Sequence, residues 1–262
     1  MNAHEIDYEI IGNEMQFVQV ELDPQESVIA EAGSFMMMDD GIQMQTIFGD
    51  GSGEQRGLMG KLMGAGKRLL TGESLFMTVF TNGAHAKKRV SFASPYPGKI
   101  IPMDLSQLGG KLICQKDSFL CAAKGVTVGI EFQRKLGAGL FGGEGFIMQK
   151  LEGDGLAFVH AGGMVYQRIL QPGELIRLDT GCLVAMTRDV QYDIEFVKGV
   201  KSAVFGGEGL FFAALRGPGA IWVQSLPFSR LADRITSAAG AAGRREEGSI
   251  LGGLGNLLDG DR

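Results

Sequence analysis

The string Phe-Gly-Gly-Glu-Gly occurs at residues 141–145 and again at residues 205–209, 64 positions further along the chain. The same shift places Ile130-Glu131-Phe132 on Ile194-Glu195-Phe196. A single shift that aligns separated matches indicates an internal repeat, because chance matches do not keep a common spacing.

A second shift, of 148 positions, relates the N-terminal part of the chain to the same unit. It aligns Leu22, Pro24 and Gly33 with Leu170, Pro172 and Gly181. The repeating unit then has two halves. One half is a Gly-Glu pair followed by a hairpin, at 72–84, 143–161 and 207–225. The other is a turn and two short strands, at 22–38, 107–123 and 170–186.

Both halves have the composition of β-strands. The chain contains 41 glycines but only 7 prolines, and turn pairs such as Asn82-Gly83 and Asp154-Gly155 bound runs of apolar residues. Gly33 and Gly181 stand where a tight turn needs a positive φ. The sequence predicts an all-β fold with three internal repeats of a short double-stranded β-helix or β-sandwich unit in pseudo-threefold arrangement.

The order of the halves suggests how such a ring would close. The chain begins with a turn-strand half and ends with a hairpin half, so we expect residues 207–225 to pair with 22–46. This predicts one β domain over 1–228, with repeat halves 22–46, 72–132, 143–196 and 207–225. A short helix over 229–243, with Ser229 as its N-cap, and a flexible Gly-rich tail over 244–262 are expected to follow.

Composition limits the classes of function. Of the 262 residues 45% are hydrophobic and 21% charged, which is enough for a sizeable core. The net charge of −5 disfavours nucleic acid as a partner. Three unpaired cysteines indicate a reducing compartment. The N-terminus lacks the features of a signal peptide and no apolar run is long enough to cross a bilayer, so we expect a cytoplasmic protein, at most peripheral to a membrane.

The sequence lacks the residue spacings or the structural context of known catalytic, metal-binding and nucleotide-binding motifs. The three histidines, His4, His85 and His160, do not lie at metal-ligand spacing; we expect His160 to be a partly buried, hydrogen-bonded residue. No Gly-x-Ser-x-Gly elbow occurs. Gly137 to Gly142 matches a dinucleotide pattern but runs into a strand rather than a helix. We therefore expect no catalytic residues, no metal, no cofactor and no enzymatic activity.

The acids of the repeated Gly-Glu pairs are Glu73, Glu144 and Glu208. In a threefold arrangement they would occupy equivalent places around the axis, as a polar ring or a cation contact. The alternative is that each carboxylate accepts backbone N–H bonds in its own turn.

Residues 57–72 (GLMGKLMGAGKRLLTG) form a basic, apolar stretch without acids. Such a segment is typical of contact with a membrane surface or a partner. The residues expected to make this contact are Leu58, Met59, Lys61, Leu62, Met63, Lys67 and Arg68. Shorter basic-apolar segments, 134–145 and 197–209, precede the other two Gly-Glu pairs. The three could form one basic apolar surface, or they could cap the core.

Three ordered blocks carry a family resemblance: KRLLTGESLFMTVFTNGA, GLFGGEGFIMQKLEGDGLAFVHAGG and FGGEGLFFAALRGPGAIWVQSLPFSRLADRI. Over residues 8–235 the chain resembles bacterial relatives of the mitochondrial biogenesis (altered inheritance of mitochondria) proteins. The resemblance implies a fold like that of the tryptophan RNA-binding attenuation protein, in triplicate. It also implies an association with membrane organisation in the fungal relatives, and it supplies no catalytic residues.

Together these observations predict a non-enzymatic scaffold or binding module that acts at a membrane surface or on a protein partner. The alternative is a small-ligand or lipid-binding β-barrel with an apolar cavity. Homo-oligomerisation is expected because apolar loops would be exposed.

Overall fold

A computed structural model of the chain describes residues 3–48, 76–134, 146–196 and 211–247. Within these ranges there are nineteen β-strands and one α-helix, α1 (Phe228–Glu247). The strands of the first half are β1 (Asp7–Ile11), β2 (Phe17–Leu22), β3 (Ser27–Glu31), β4 (Phe35–Met38), β5 (Ile42–Phe48), β6 (Phe76–Asn82), β7 (Lys88–Ala93), β8 (Gly98–Asp104), β9 (Lys111–Gln115) and β10 (Phe119–Ala123). Those of the second half are β11 (Thr127–Arg134), β12 (Phe146–Glu152), β13 (Leu156–Gly162), β14 (Val165–Leu170), β15 (Leu175–Asp179), β16 (Leu183–Thr187), β17 (Gln191–Phe196), β18 (Phe211–Arg216) and β19 (Gly219–Gln224). The expectation of an all-β chain with one C-terminal helix is confirmed.

The sequence pattern explains which strands face water. In β2, Val18, Val20 and Leu22 are buried and the residues between them are partly exposed, as expected for a strand with one face on a core. In β10 all five residues of Phe119–Ala123 are buried. Strand β10 is apolar throughout because it lies between two hydrophobic cores.

The strands form four antiparallel sheets. Sheet I has the order β1-β2-β7-β4, and sheet IV the order β15-β18-β17. Sheet II has the order β5-β6-β3-β10-β13-β8, and sheet III the order β11-β12-β9-β16-β19-β14. Adding six to each strand number of sheet II gives the order of sheet III. The strands β2-β7-β4 of sheet I and the whole of sheet IV each match one half of these larger sheets.

Three hydrophobic cores separate the sheets. The first core lies between sheets I and II and includes Val20, Phe92 and Phe158. The central core lies between sheets II and III and includes Phe119 and Trp222. The third core lies between sheets III and IV and contains Phe146, Met148, Leu183, Leu215 and Ile221. Sheets II and III therefore have a core on each face.

The predicted closure of the ring within one chain is wrong for the described residues. The strands of 22–46 pair with β6, β7 and β10, whereas β18 pairs with β15 and β17, and β19 with β14 and β16. No ladder in the described ranges joins 22–46 to 211–224. Strands β4 and β15 are instead edges of two different sheets. The pseudo-threefold arrangement itself stays a prediction.

The C-terminal helix differs from the predicted 229–243. It begins at Phe228, and the carbonyl of Pro227 accepts from the backbone N–H groups of Arg230 and Leu231. Proline can take this place because it fixes φ and needs no N–H partner. Ser229 therefore lies in the first turn and is not the N-cap. The helix runs on to Glu247, so the first residues of the predicted tail are helical, while 248–262 lie outside the described residues.

The two turn glycines behave differently. Gly33 has the expected positive φ of 94°. Gly181 lies instead in a short 3-10 turn, where its N–H donates to the Asp179 carboxylate at 2.9 Å. A carboxylate that closes the turn makes the left-handed conformation unnecessary at this position.

Asn82, in the predicted Asn-Gly turn, stabilises the first core region. Its side chain is fully buried, and Nδ2 donates to the carbonyls of Leu22 and Ala86, both at 2.9 Å. Oδ1 accepts from the backbone N–H of Ala84 at 2.9 Å. One amide therefore joins the end of β2 to the loop between β6 and β7.

We expect Asn82→Ala to lower the free energy of unfolding by about 2–4 kcal/mol, because buried carbonyls lose their donors. The measurement is urea unfolding followed by the fluorescence of Trp222, the one tryptophan in the sequence. Gln45→Ala, at an exposed position of β5, is the matched control and should change the value by less than about 0.5 kcal/mol. Equal effects of the two changes on the free energy of unfolding would contradict this stabilising role of the Asn82 amide.

Candidate functional site

The site residues predicted from the sequence lie outside the described part of the chain. These are the contact residues Leu58, Met59, Lys61, Leu62, Met63, Lys67 and Arg68 and the acids Glu73, Glu144 and Glu208. Their predicted roles stay predictions. The structure does define where the segments that carry them begin and end.

Each of these segments joins two paired strands at the same place in a sheet. The connections run from β5 to β6, from β11 to β12 and from β17 to β18. The last ladder pairs before them are Phe48 with Phe76, Arg134 with Phe146, and Phe196 with Phe211. The three basic-apolar segments thus connect corresponding pairs of strands, each pair six strands further along the chain than the one before.

Strand β4 is the most exposed apolar strand among the described residues. Phe35, Met36, Met37 and Met38 have exposed fractions of 40%, 48%, 43% and 40%. Within the described ranges β4 is paired on one side only, with β7, so its other side is an open edge there. Four consecutive apolar residues on an open edge are typical of an interaction site.

The structure fixes the conformation of β4 through its neighbours. The Phe35 ring stacks on Phe80 with centroids 5.4 Å apart. The ladder to β7 is interrupted between Phe35 and Met37, which marks a β-bulge. Bulges re-aim side chains and are typical of functional edges.

Strand β15 is an edge strand of sheet IV and packs against the third core. Leu175 and Arg177 are exposed, whereas Ile176 and Leu178 are partly buried against the third core. The Arg177 guanidinium Nε lies 2.6 Å from a Glu195 carboxylate oxygen on β17. The edge therefore has one apolar face and one charged face.

A cluster of titratable groups lies where β3 ends beside the 3-10 turn Lys116–Ser118. Burial is the main cause that raises the pKa of Glu31 to about 7; the Asp117 carboxylate contributes to this shift and Lys116 opposes it. Burial also raises the pKa of Tyr96 to about 12, with smaller contributions from Asp117 and Glu31. Glu31 is therefore a carboxyl that gains and loses its proton near neutral pH.

His160 on β13 is only 1% exposed, and its ring meets the Tyr96 ring edge-on at 4.4 Å. Burial lowers the pKa of His160 to about 4, partly opposed by the backbone of Tyr96, so the ring is neutral near pH 7. No side-chain or backbone group in the described ranges lies in good hydrogen-bonding geometry to either ring nitrogen. The expected partly buried, hydrogen-bonded histidine is thus more deeply buried than predicted, and neither ring nitrogen makes a hydrogen bond within the described ranges.

Other reactive residues have structural surroundings. Burial raises the pKa of the Cys114 and Cys121 thiols, which keeps both sulfurs protonated and unreactive. His4 Nδ1 accepts from the Ser27 N–H at 3.0 Å. No group of three or more His, Cys, Asp or Glu residues in the described ranges could hold a metal ion. No described helix is both long and apolar enough to cross a membrane.

Comparison with known proteins places the chain in a family. The model of the mitochondrial biogenesis AIM24 family matches residues 8–226. The chain belongs to this family. An uncharacterised protein of Streptococcus pyogenes serotype M6 is 31% identical over 231 residues, which is 86% of this chain and 88% of that protein.

A solved relative of this AIM24 family member shows a similar fold. The crystal structure of another Streptococcus pyogenes protein superposes with a TM-score of 0.68 at 24% sequence identity. The match covers 89% of this chain and 100% of that chain. At this identity the likeness shows the fold alone.

Sequence reasoning missed the open edges and the cluster around Glu31. The Phe35–Met38 run is visible in the sequence, and four apolar residues in succession do not alternate as a strand with one solvated face should. That departure was the available signal for β4. Glu31 had no comparable signal, because its burial and its proximity to Asp117, 86 positions away in the chain, arise only in the folded structure.

We expect Glu31→Gln to remove part of the pH dependence of stability. The folded-state pKa of Glu31 is raised from 4.5 to about 7, so the native state binds the extra proton and stability is lost as pH rises between these values. His160, with a folded-state pKa lowered to about 4, gives the opposite slope between about pH 4 and 6.5. The variant should therefore be more stable than wild type at pH 8, by about 1–3 kcal/mol, and equal to it near pH 4.

Urea unfolding at half-unit pH steps measures this difference. Glu9→Gln, on exposed strand β1, is the control and should follow the wild-type curve. A Glu31→Gln effect of the same size at pH 4 and pH 8 would contradict a raised pKa in the folded state.

Proposed function

We propose that the chain is a non-enzymatic scaffold that binds a membrane surface or a protein partner through exposed apolar surface at the edges of its sheets. The observation that carries the proposal is β4, where four consecutive apolar side chains lie exposed on an unpaired edge. Monomeric soluble proteins seldom expose such a row unless it binds something.

A second exposed apolar surface supports a binding role. On β14, the edge strand of sheet III, Tyr166 and Ile169 are 59% and 58% exposed, and Met164 just before it is 70% exposed. Methionine side chains are flexible and polarizable, so they adapt to partners of different shape.

The membrane arm of the proposal rests on residues 57–72. This segment joins β5 to β6 and combines Lys61, Lys67 and Arg68 with leucines and methionines. Basic residues near an anionic lipid surface each contribute about 1 kcal/mol of attraction, and apolar side chains add burial in the interface. A fold of three repeats like that of the tryptophan RNA-binding attenuation protein, self-association and a cytoplasmic location, peripheral to a membrane, belong to the same proposal.

The different-class candidate is a small-ligand or lipid-binding protein. The observation in its favour is His160, a buried imidazole whose nitrogens lack a hydrogen-bonding partner among the described groups. A bound small molecule with a polar atom could satisfy such a ring. Native mass spectrometry of the protein purified from its host distinguishes the two, because a ligand protein carries a stoichiometric mass increment and a scaffold does not.

We expect the protein to sediment with vesicles that contain anionic phosphatidylglycerol and not with neutral phosphatidylcholine vesicles. The triple change Lys61→Glu, Lys67→Glu and Arg68→Glu should weaken binding on the order of 100-fold, because three attractive charges become repulsive. The matched control reverses three cations of the described surface, Lys88, Lys124 and Arg188, and should retain most of the binding. Negligible sedimentation of the wild type with both vesicles would remove the membrane arm.

A further inference from the structure

Sheets II and III each consist of two three-stranded parts, and one antiparallel strand pair joins the two parts. We call this pair the junction: it is β3 with β10 in sheet II and β9 with β16 in sheet III. In sheet II, Ala30 of β3 lies opposite Cys121 of β10. In sheet III, Cys114 of β9 lies opposite Ala185 of β16. Ala30 and Cys114 are the next-to-last residues of their strands, and Cys121 and Ala185 each follow a bulge. The two junctions thus have the same register.

Sheets I and IV contain the same two kinds of strand without the junction. Strand β4 pairs with β7 and has a bulge before Met37, as β10 and β16 have before Cys121 and Ala185. Strand β15 pairs with β18 and has Leu178 as its next-to-last residue, as β3 and β9 have Ala30 and Cys114. Strand β4 therefore corresponds to β10 and β16, and β15 corresponds to β3 and β9, which are paired with each other inside sheets II and III.

We propose that β4 of one copy of the chain pairs antiparallel with β15 of a second copy, with Met37 opposite Leu178 and Met38 opposite Arg177. The pairing would continue sheet I into sheet IV and form a seven-stranded sheet between two copies. This inference rests on the proposed function in one respect, because it names a second copy of this chain as the protein partner of the β4 edge.

Burial supports this register. At the internal junctions the counterparts of Met36 and Met37 are fully or almost fully buried: Leu120 and Cys121 in sheet II, and Val184 and Ala185 in sheet III. Met36 and Met37 are instead 48% and 43% exposed. In the proposed register they share a face with Leu178, which is packed against the third core. Pairing would therefore cover the apolar side chains that the single chain leaves exposed.

The contact is heterologous, because one copy contributes β4 and the other β15. An open row of copies keeps one free β4 edge at one end and one free β15 edge at the other, until the row closes. A heterologous contact generates a ring where the rotation closes and a filament where it does not. Pairing of β4 with β4, or of β15 with β15, would be a different contact that does not join these two edges.

Disulfide trapping tests the pairing. In a Cys182→Ser background, chains with Met37→Cys and chains with Leu178→Cys are mixed, oxidised mildly and run on a non-reducing gel. Opposed residues in an antiparallel pair have Cβ atoms close enough for a disulfide. We expect a mixed product of twice the 28.0 kDa chain mass, at least ten times more abundant than that from either chain alone. Met44→Cys, 51% exposed on β5, replaces Met37→Cys in the matched control and should give no mixed product with Leu178→Cys.

The double variant Met37→Cys, Leu178→Cys separates pairing between chains from closure within one chain. A ladder of linked chains supports the proposal. An oxidised monomer overturns it in favour of closure within the chain, and products from Met37→Cys alone overturn it in favour of symmetric pairing. Absence of any mixed product also overturns it.

Light scattering on an uncrosslinked variant provides an independent readout. Met37→Asp should lower the mass in solution to that of one chain while leaving the far-ultraviolet circular dichroism unchanged, and Met44→Asp should leave the mass unaltered. Vesicle sedimentation of the wild-type protein keeps the two proposals apart. Vesicle binding by the wild type with failed trapping would overturn the pairing alone, and absence of vesicle binding by the wild type with successful trapping would remove only the membrane arm.

Discussion

The junction between β3 and β10, repeated between β9 and β16, is the interaction on which this fold depends. Each junction places one three-stranded part beside another, and the resulting six-stranded sheet has a core on each face. Small side chains make this possible, since Ala30 and Cys121 meet in one junction and Cys114 and Ala185 in the other. Removal of either ladder would expose two sheet edges and divide a core between them.

Charge near these junctions is tolerated only at their ends. Glu31 closes β3 one residue beyond Ala30, partly buried beside the Asp117 turn, and its raised pKa reflects the cost of placing a carboxylate there. The corresponding last residues of β9 and β15 are Gln115 and Asp179. Gln115 carries no charge, and the Asp179 carboxylate lies 2.9 Å from the Arg230 guanidinium on α1. The three corresponding positions therefore avoid an unpaired buried charge in different ways. Glu31 takes up a proton, Gln115 is neutral, and Asp179 forms an ion pair.

Sequence reasoning identified the strands because strand composition and turn residues are local properties. The 64-position shift aligns β11 with β17, and these strands pair with β12 and β18 at corresponding places in sheets III and IV. The Asn82-Gly83 turn lies where it was predicted. It failed where the answer depends on distant contacts. Which strand pairs with β4 depends on sheet order, so closure within the chain was expected and not found. The start of α1 at Phe228 depends on Pro227, and the raised pKa of Glu31 depends on a turn far along the chain.

The exposed methionines of β4 are best understood from what stands at the corresponding places inside the chain. Cys121 and Ala185 are small because they meet a partner strand of fixed position between two finished cores. A strand that must form the same contact with a separate molecule has no such fixed surroundings, and a long, flexible side chain such as Met37 can adjust to a surface that arrives later. The difference in residue type therefore has the same physical origin as the difference in exposure. Strands β10 and β16 meet their partner strands within the same chain, whereas β4 meets its partner strand only in the proposed pairing with a second copy.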